Sequence, residues 1–196
     1  MREQQIEEQF RKETEERQER ARHLINETYQ KAGEIYKKDF ILIFEKALKM
    51  FAEYQKEDKE KKLKYIYVNC LRTRMETSTY EYLIRIMDEY GYADKKIVDL
   101  YYVPQYLQEL INDDKEYFTK LIMSKVIRAK KYEVKDFLRR YIWDTYIKPI
   151  PQEIAEVISM TDMLEGYKNI EKSYEVEVAY GEMLEKYDVW WLFTTR

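Results

Sequence analysis

Histidine and cysteine occur once each in the 196 residues, glycine four times and proline three times. Each shortage excludes something. The one cysteine, Cys70, cannot close an internal disulfide, and no C-x-x-C pair offers a zinc or redox centre. Its neighbours Ile66, Tyr67 and Leu71 make it a small core residue. The one histidine, His23, stands beside the charged N-terminal segment, a poor place for an imidazole-based nucleophile system. The few glycines form neither G-x-G-x-x-G nor G-x-x-x-x-G-K-[ST], so nucleotide-cradling loops find no support. Long apolar runs are missing too: the densest, Phe40-Ile41-Leu42-Ile43-Phe44, falls far short of the ~20 residues that cross a bilayer. The opening Met1-Arg2-Glu3-Gln4-Gln5 lacks the apolar core of a secretory signal. A formal net charge of −3 gives no general attraction to nucleic acid or an anionic membrane. The expectation is a cytoplasmic protein with no membrane contact, no cofactor and no resident metal.

What the chain does have is tyrosine, 20 residues of it, within 45% apolar and 37% charged composition. Tyrosine joins apolar ring area to a hydroxyl that wants a partner, which suits wet-edged cores and recognition surfaces. So many aromatics argue against disorder, and so few breakers argue for long elements joined by short connections.

Residues 1–22 hold seven acidic and six basic side chains, and after Met1 only Ile6, Phe10 and Ala21 are apolar. This reads as a polar arm, helical or frayed, ahead of a single domain over 23–196. From Ile25 the apolar residues Tyr29, Ala32, Tyr36, Phe40, Ile43, Ala47, Phe51 and Tyr54 follow at a mean step of about 3.6, the period of a straight α-helix. That helix is the expected spine of the core. After the charged run 56–62, Leu63, Ile66, Tyr67, Cys70, Leu71 and Met75 predict a shorter helix.

The period changes at Thr77-Ser78. Tyr80, Tyr82, Ile84 and Ile86 alternate with Glu81, Leu83, Arg85 and Met87, and 97–103 is β-branched and aromatic, so a β-hairpin is predicted near 79–103. Pro104 then opens a helix carrying Tyr106, Leu107, Leu110 and Ile111. Further helices are predicted over 114–130, over 133–147 and after Pro151. A second hairpin is predicted near 173–194, where Tyr174, Val176, Val178 and Tyr180 alternate with acidic residues. The fold expected is mainly α: a helical scaffold of about six helices with a long N-terminal one and two inserted β-hairpins, which either stand apart or share one small sheet.

Three groups of residues invite a chemical reading. Glu19, His23 and Glu27 share one helical face and offer ligands to a divalent cation, but no second ligand helix accompanies them, so they read as a solvated salt-bridging face. Arg72, Arg74 and Arg85 around Tyr80 and Tyr82 form a candidate pocket for an anionic or aromatic small molecule, with Glu76, Glu81, Asp88 and Glu89 available as structural partners instead. Residues 119–140 concentrate Lys120, Lys125, Arg128, Lys130, Lys131, Lys135, Arg139 and Arg140 against Glu133 and Asp136, interleaved with Tyr132, Phe137 and Tyr141. Phosphate contacts plus base stacking would use such a composition. Residues 149–195 run the other way, with ten acidic and three basic side chains, so pairing within the fold or between subunits accounts for it equally. Acidic residues are too abundant for any carboxylate pair to mark a catalytic site. The sequence names no substrate or partner. The reading preferred is a non-catalytic intracellular interaction or regulatory protein, acting through tyrosine-rich surfaces as a homo-oligomer with a possible protein partner. The alternatives are a small-molecule sensor using the Arg/Tyr group and a nucleic-acid-binding accessory protein using Lys125, Arg128, Lys130, Lys131, Arg139 and Arg140.

Overall fold

A computed structural model describes residues 2–71, 80–93, 96–182 and 187–194, with side chains from residue 6 onward except at 187–190. The chain divides into two compact units, Met1–Ala32 with Pro104–Pro149, and Gly33–Val103 with Ile150–Arg196. The described elements are α1 (Arg2–Gln9), α2 (Arg11–Glu57), β1 (Leu63–Cys70), β2 (Tyr82–Asp88), β3 (Val98–Tyr102), α3 (Gln105–Lys125), α4 (Lys131–Ile142), α5 (Gln152–Ser159), α6 (Glu165–Lys168), β4 (Lys172–Glu182) and β5 (Tyr187–Thr194). Residues 11–32 of α2 belong to the first unit and 33–57 to the second.

The first unit is helical. Ile6, Phe10 and Ala21 of the charged segment are buried, and Phe10 bridges α1 and α2 with its backbone bonds to Ile6 and Thr14. Along α3 the buried positions are Tyr106, Leu107, Ile111, Asp114, Phe118 and Ile122, one helical stripe. Phe118 lies at its centre, with ring centroids 5.2 Å from Phe137 and 4.6 Å from Tyr141 of α4. A π-helical turn, Trp143–Ile147, extends α4, and the Lys148 N–H donates to the Trp143 carbonyl at 2.9 Å. Pro149 and Pro151 follow, neither able to supply the next backbone donor.

The second unit carries a five-stranded sheet in the order β3-β2-β1-β4-β5. All neighbours are antiparallel except β1 and β4, which run parallel. Register sets one apolar row across every strand: Val98, Ile86, Ile66, Val178 and Trp191. Residues of this face meet three helices. Phe40 of α2 packs edge-on against Tyr102 at 4.9 Å, Tyr102 Oη donates to Glu153 of α5 at 3.2 Å, and Tyr167 of α6 lies 6.2 Å from Phe193. Phe40, Phe44, Ala47, Leu48 and Phe51 give α2 a fully buried stripe there.

Two polar devices fix the joints of this unit. Gln55 Nε2 donates to the carbonyls of Lys61 and Glu171, and its Oε1 accepts from the Glu171 N–H at 3.0 Å, so one amide ties the end of α2 to the entry of both parallel strands. At α6 the Gly166 N–H donates to Glu45 Oε2; a Cβ at residue 166 would meet that oxygen at 2.5 Å and Leu48 Cβ at 3.0 Å. Only glycine allows the approach.

The sheet corrects the expected fold class. Helix predominates, yet two hairpins inserted in a helical scaffold do not describe a mixed five-stranded sheet. The overturned element is the short helix predicted from Leu63: that segment is β1, the central strand, which joins both hairpins into one sheet. Its residues Tyr65, Ile66, Tyr67 and Val68 are β-branched or aromatic, and Ile66 to Cys70 are all buried, the polar Asn69 included. A helix with one apolar face would have exposed some of them. The two helices expected over 105–130 are one, α3.

The tyrosines inside the sheet unit set a pH limit. Burial pushes the phenols of Tyr80 and Tyr167 up to about 12, with Asp162 adding to the second, and pushes Tyr67, Tyr102 and Tyr180 well above the ordinary value. A raised folded-state pKa favours the neutral phenol, so this stabilisation is complete below the unfolded value of about 10 and is lost as pH rises through 12. Tyrosinate absorbance from these rings and loss of circular dichroism are expected to arrive together above pH ~10. Ionisation of the buried set near pH 10 with an intact dichroism spectrum would contradict the packing described.

Candidate functional site

The Arg/Tyr group is partly absorbed by the sheet. Tyr80 and Tyr82 are buried, and Tyr82 meets Tyr180 with centroids 6.0 Å apart. Arg85 makes a two-pronged pair with Asp99 of the neighbouring strand, Nε at 2.7 Å and Nη2 at 2.5 Å, and its guanidinium stands 5.3 Å from the Tyr92 ring centre. The Asp99 bond, opposed in part by desolvation, holds the Arg85 pKa above its ordinary value. Arg72 and Arg74 lie outside the described residues. Arg85 and Tyr82 thus stabilise β2 and its neighbours, a cross-strand role, and Tyr80 is buried just ahead of β2.

The basic stretch is divided. Lys125 faces Glu13 at 3.4 Å, Arg140 faces Glu7 at 2.7 Å and Lys120 pairs with Glu116. Arg128 sits in the turn between α3 and α4, in the left-handed region at φ 57°. Lys130 caps α4, its N–H donating to Glu133 Oε2 at 2.8 Å, and its ammonium lies 5.6 Å from the Tyr132 ring centre. Lys131 and Arg139 project from the exposed face of α4.

The sheet leaves two edges, and they differ. β3 is five residues long, carries the Asp99–Arg85 pair and is followed by Pro104, all devices that discourage a further strand. β5 has eight residues, Tyr-Asp-Val-Trp-Trp-Leu-Phe-Thr, with no lysine, proline or glycine and one charge, Asp188. Among the described residues it pairs with β4 alone. Leu192, opposite Glu177, is 58% exposed, and Tyr174 near the start of β4 is 73% exposed. At the Thr194 end of β5 a cleft of about 530 Å³ is lined by Lys168, Lys172, Tyr167, Leu192, Phe193 and Thr194, with Asp162 at its rim. Lys172 Nζ donates to the carbonyls of Tyr167 and Ile170 and lies 4.8 Å from the Tyr167 ring centre; burial pulls its pKa below the usual lysine value, with Glu171 opposing. The arrangement offers an open row of backbone donors and acceptors ending beside two ammonium groups. That suits an extended polypeptide.

A polar centre in the first unit gave no motif to the sequence reading. Asp114, 3% exposed, accepts from Arg17 Nη1 at 2.9 Å, from Tyr146 Oη at 2.7 Å and from Tyr141 Oη. Arg17 also reaches Asp113 at 3.2 Å and covers the Tyr117 ring at 3.7 Å. Burial first, and then the Asp114 carboxylate, push both phenols well above their ordinary pKa. With every partner bonded to another, this centre holds helices together.

Among the described residues no group of three potential ligands is placed to hold a metal ion, and no helix is long and apolar enough to cross a membrane. His23 contacts only Glu27, at 3.5 Å on an exposed surface. Compared with family models, curated proteins and solved structures, the chain matches none.

Proposed function

We propose that this chain is a non-catalytic interaction protein that works as a homodimer, joined by antiparallel pairing of β5 with β5 of a second copy. The observation that carries the reading is the contrast between the sheet edges: β3 is short and charged, whereas β5 is long, apolar and, among the described residues, paired on one side alone. An unguarded apolar edge is a template for another strand, and proteins that remain monomeric blunt such edges. Antiparallel self-pairing is two-fold symmetric, so it closes at two copies. It also brings the Asp188 end of one strand beside the Thr194 end of the other, where Lys168 and Lys172 line the cleft.

Lysine on an outer strand is a common block to strand addition, so Leu192→Lys is the test. By sedimentation over a concentration series, the wild-type chain is expected to dimerise and the variant to do so at least about ten-fold more weakly, a loss of about 1.4 kcal/mol. Because Leu192 is largely exposed, the thermal stability of the variant is expected to stay within about 0.5 kcal/mol. A wild-type chain that stays monomeric at high concentration, or a variant that dimerises as well, contradicts the reading.

A further inference from the structure

The outer flank of α4 lies outside this proposal and carries its own pattern. Val134, Phe137, Leu138, Tyr141 and Ile142 are buried, so the apolar face of the helix is spent on the interior of its unit. On the flank beside that face Lys131, Lys135 and Arg139 follow at intervals of four residues, all exposed and none ion-paired among the described residues. Successive cations stand about one turn apart, ~6 Å along the axis, in a row inclined to the axis because each step of four residues drifts by about 40° around it. Tyr132, 56% exposed, adjoins the first of them. The turn before α4 adds Arg128 and Lys130 and presents Ile127, 85% exposed.

We propose that this flank binds single-stranded nucleic acid, the row Lys131/Lys135/Arg139 following the phosphates and Tyr132 stacking on a base. A row of cations at regular spacing fits a chain of regularly spaced phosphates, and an exposed aromatic beside it supplies the stacking platform that single strands use. Base-edge readout is not part of the proposal. The contacts are to the phosphate backbone and to ring faces, which every base presents, so the binding is tolerant of sequence. A bilayer would instead need a continuous apolar face, and the one α4 has is buried. The structure also narrows the basic stretch: Lys125 and Arg140 have acidic partners, while Lys135 joins the row.

The test is fluorescence anisotropy of a labelled oligo(dT) and an oligo(U) across a salt series, with the full-length chain. The triple variant Lys131→Ala, Lys135→Ala, Arg139→Ala is expected to bind both about ten-fold or more weakly at low salt. Its slope of log affinity against log salt is expected to be shallower by about 2, since each phosphate contact on a single strand contributes about 0.7. Tyr132→Ala is expected to lower affinity while leaving the slope unchanged. A charge-matched control on α2, Lys38→Ala, Lys46→Ala, Lys49→Ala, removes the same net charge and is expected to have at most a small effect; an equal loss would reduce the binding to general electrostatics and overturn the proposal. Undetectable binding of the wild-type chain to either oligonucleotide, unchanged binding by the α4 variant, or binding to anionic phosphatidylserine vesicles in place of oligonucleotides would each overturn it as well. Circular dichroism of the variants, all changed at exposed positions, verifies the fold.

Discussion

Asp114→Ala is expected to destabilise the first unit by about 3–5 kcal/mol, because it strands a guanidinium and two phenols that now share one carboxylate. The side chain of Arg17 is 16% exposed and owes its position to Asp114, Asp113 and the Tyr117 ring. Without Asp114 the exposed Asp113 and the face of the Tyr117 ring remain to it. Tyr141 and Tyr146 lose the acceptor that justifies their burial, and the π-helical turn that carries Tyr146 loses its anchor. For a chain of this size such a loss corresponds to a fall in melting temperature of ~10 °C. Thermal unfolding followed by circular dichroism measures it, and amide exchange in α3 and α4 locates it. Asp114→Asn keeps one acceptor and is expected to fall between the two. A loss below about 1 kcal/mol for the alanine variant would mean that Arg17 and the phenols find water or other partners.

In the second unit the counterpart is Asp88→Ala, also expected to lose about 3–5 kcal/mol. Asp88 closes β2 and is 0% exposed. Its Oδ2 accepts from Lys61 Nζ at 2.9 Å and its Oδ1 from the Tyr90 N–H at 2.9 Å, so it serves as ion partner and turn cap together. Removal leaves an ammonium with 8% side-chain exposure beside an empty place, on the residue whose carbonyl is bound by Gln55. Breaking a buried pair costs more than the pair itself contributes, because the survivor stays desolvated. The double variant Lys61→Met, Asp88→Leu is therefore expected to recover most of the loss, to within about 1 kcal/mol of wild type apart from the turn cap. If the double variant is as unstable as Asp88→Ala, the Tyr90 cap rather than the ion pair carries the effect.

Much of this fold was legible where one face of an element is apolar and the other polar. α2 shows its 3.6-residue period because its outer face is charged over most of its length. The second hairpin showed its alternation for the same reason, with Glu175 and Glu177 marking the outer side of β4, whereas β2 is buried on both faces and among its residues only Arg85 is half-buried. β1 has no such contrast. Leu63, Ile66, Tyr67 and Cys70 happen to fall at helical spacing, and of the residues between them Val68 and Asn69 are buried as well, while Lys64 and Tyr65 are half-buried. Its parallel neighbour is also remote in sequence: Ile66 lies opposite Val178, a pairing no local pattern reveals.

The Asp114 centre did leave a signal. Leu107, Ile111, Asp114, Phe118 and Ile122 advance by 4, 3, 4 and 4, so a carboxylate stands on the apolar stripe itself. Phe10, Thr14, Arg17 and Ala21 do the same with a cation. Two charges of opposite sign placed inside two stripes announce a buried pair, since neither can be buried alone. Asn112-Asp113-Asp114 reads as a break between helices only if that register is overlooked. On α4, by contrast, the run of cations was visible in composition, but which of them point outward is decided by the packing of Phe137 and Tyr141 on Phe118.

The most direct measurement of the central claim is amide hydrogen exchange in β5 as protein concentration is raised. Pairing of β5 across a two-fold axis protects the N–H groups of β5 that do not donate to β4, so their exchange is expected to slow with concentration in step with dimer formation, and to return to the dilute-limit rate in Leu192→Lys. A dimer whose β5 amides exchange at the same rate at every concentration would place the interface elsewhere and contradict the account.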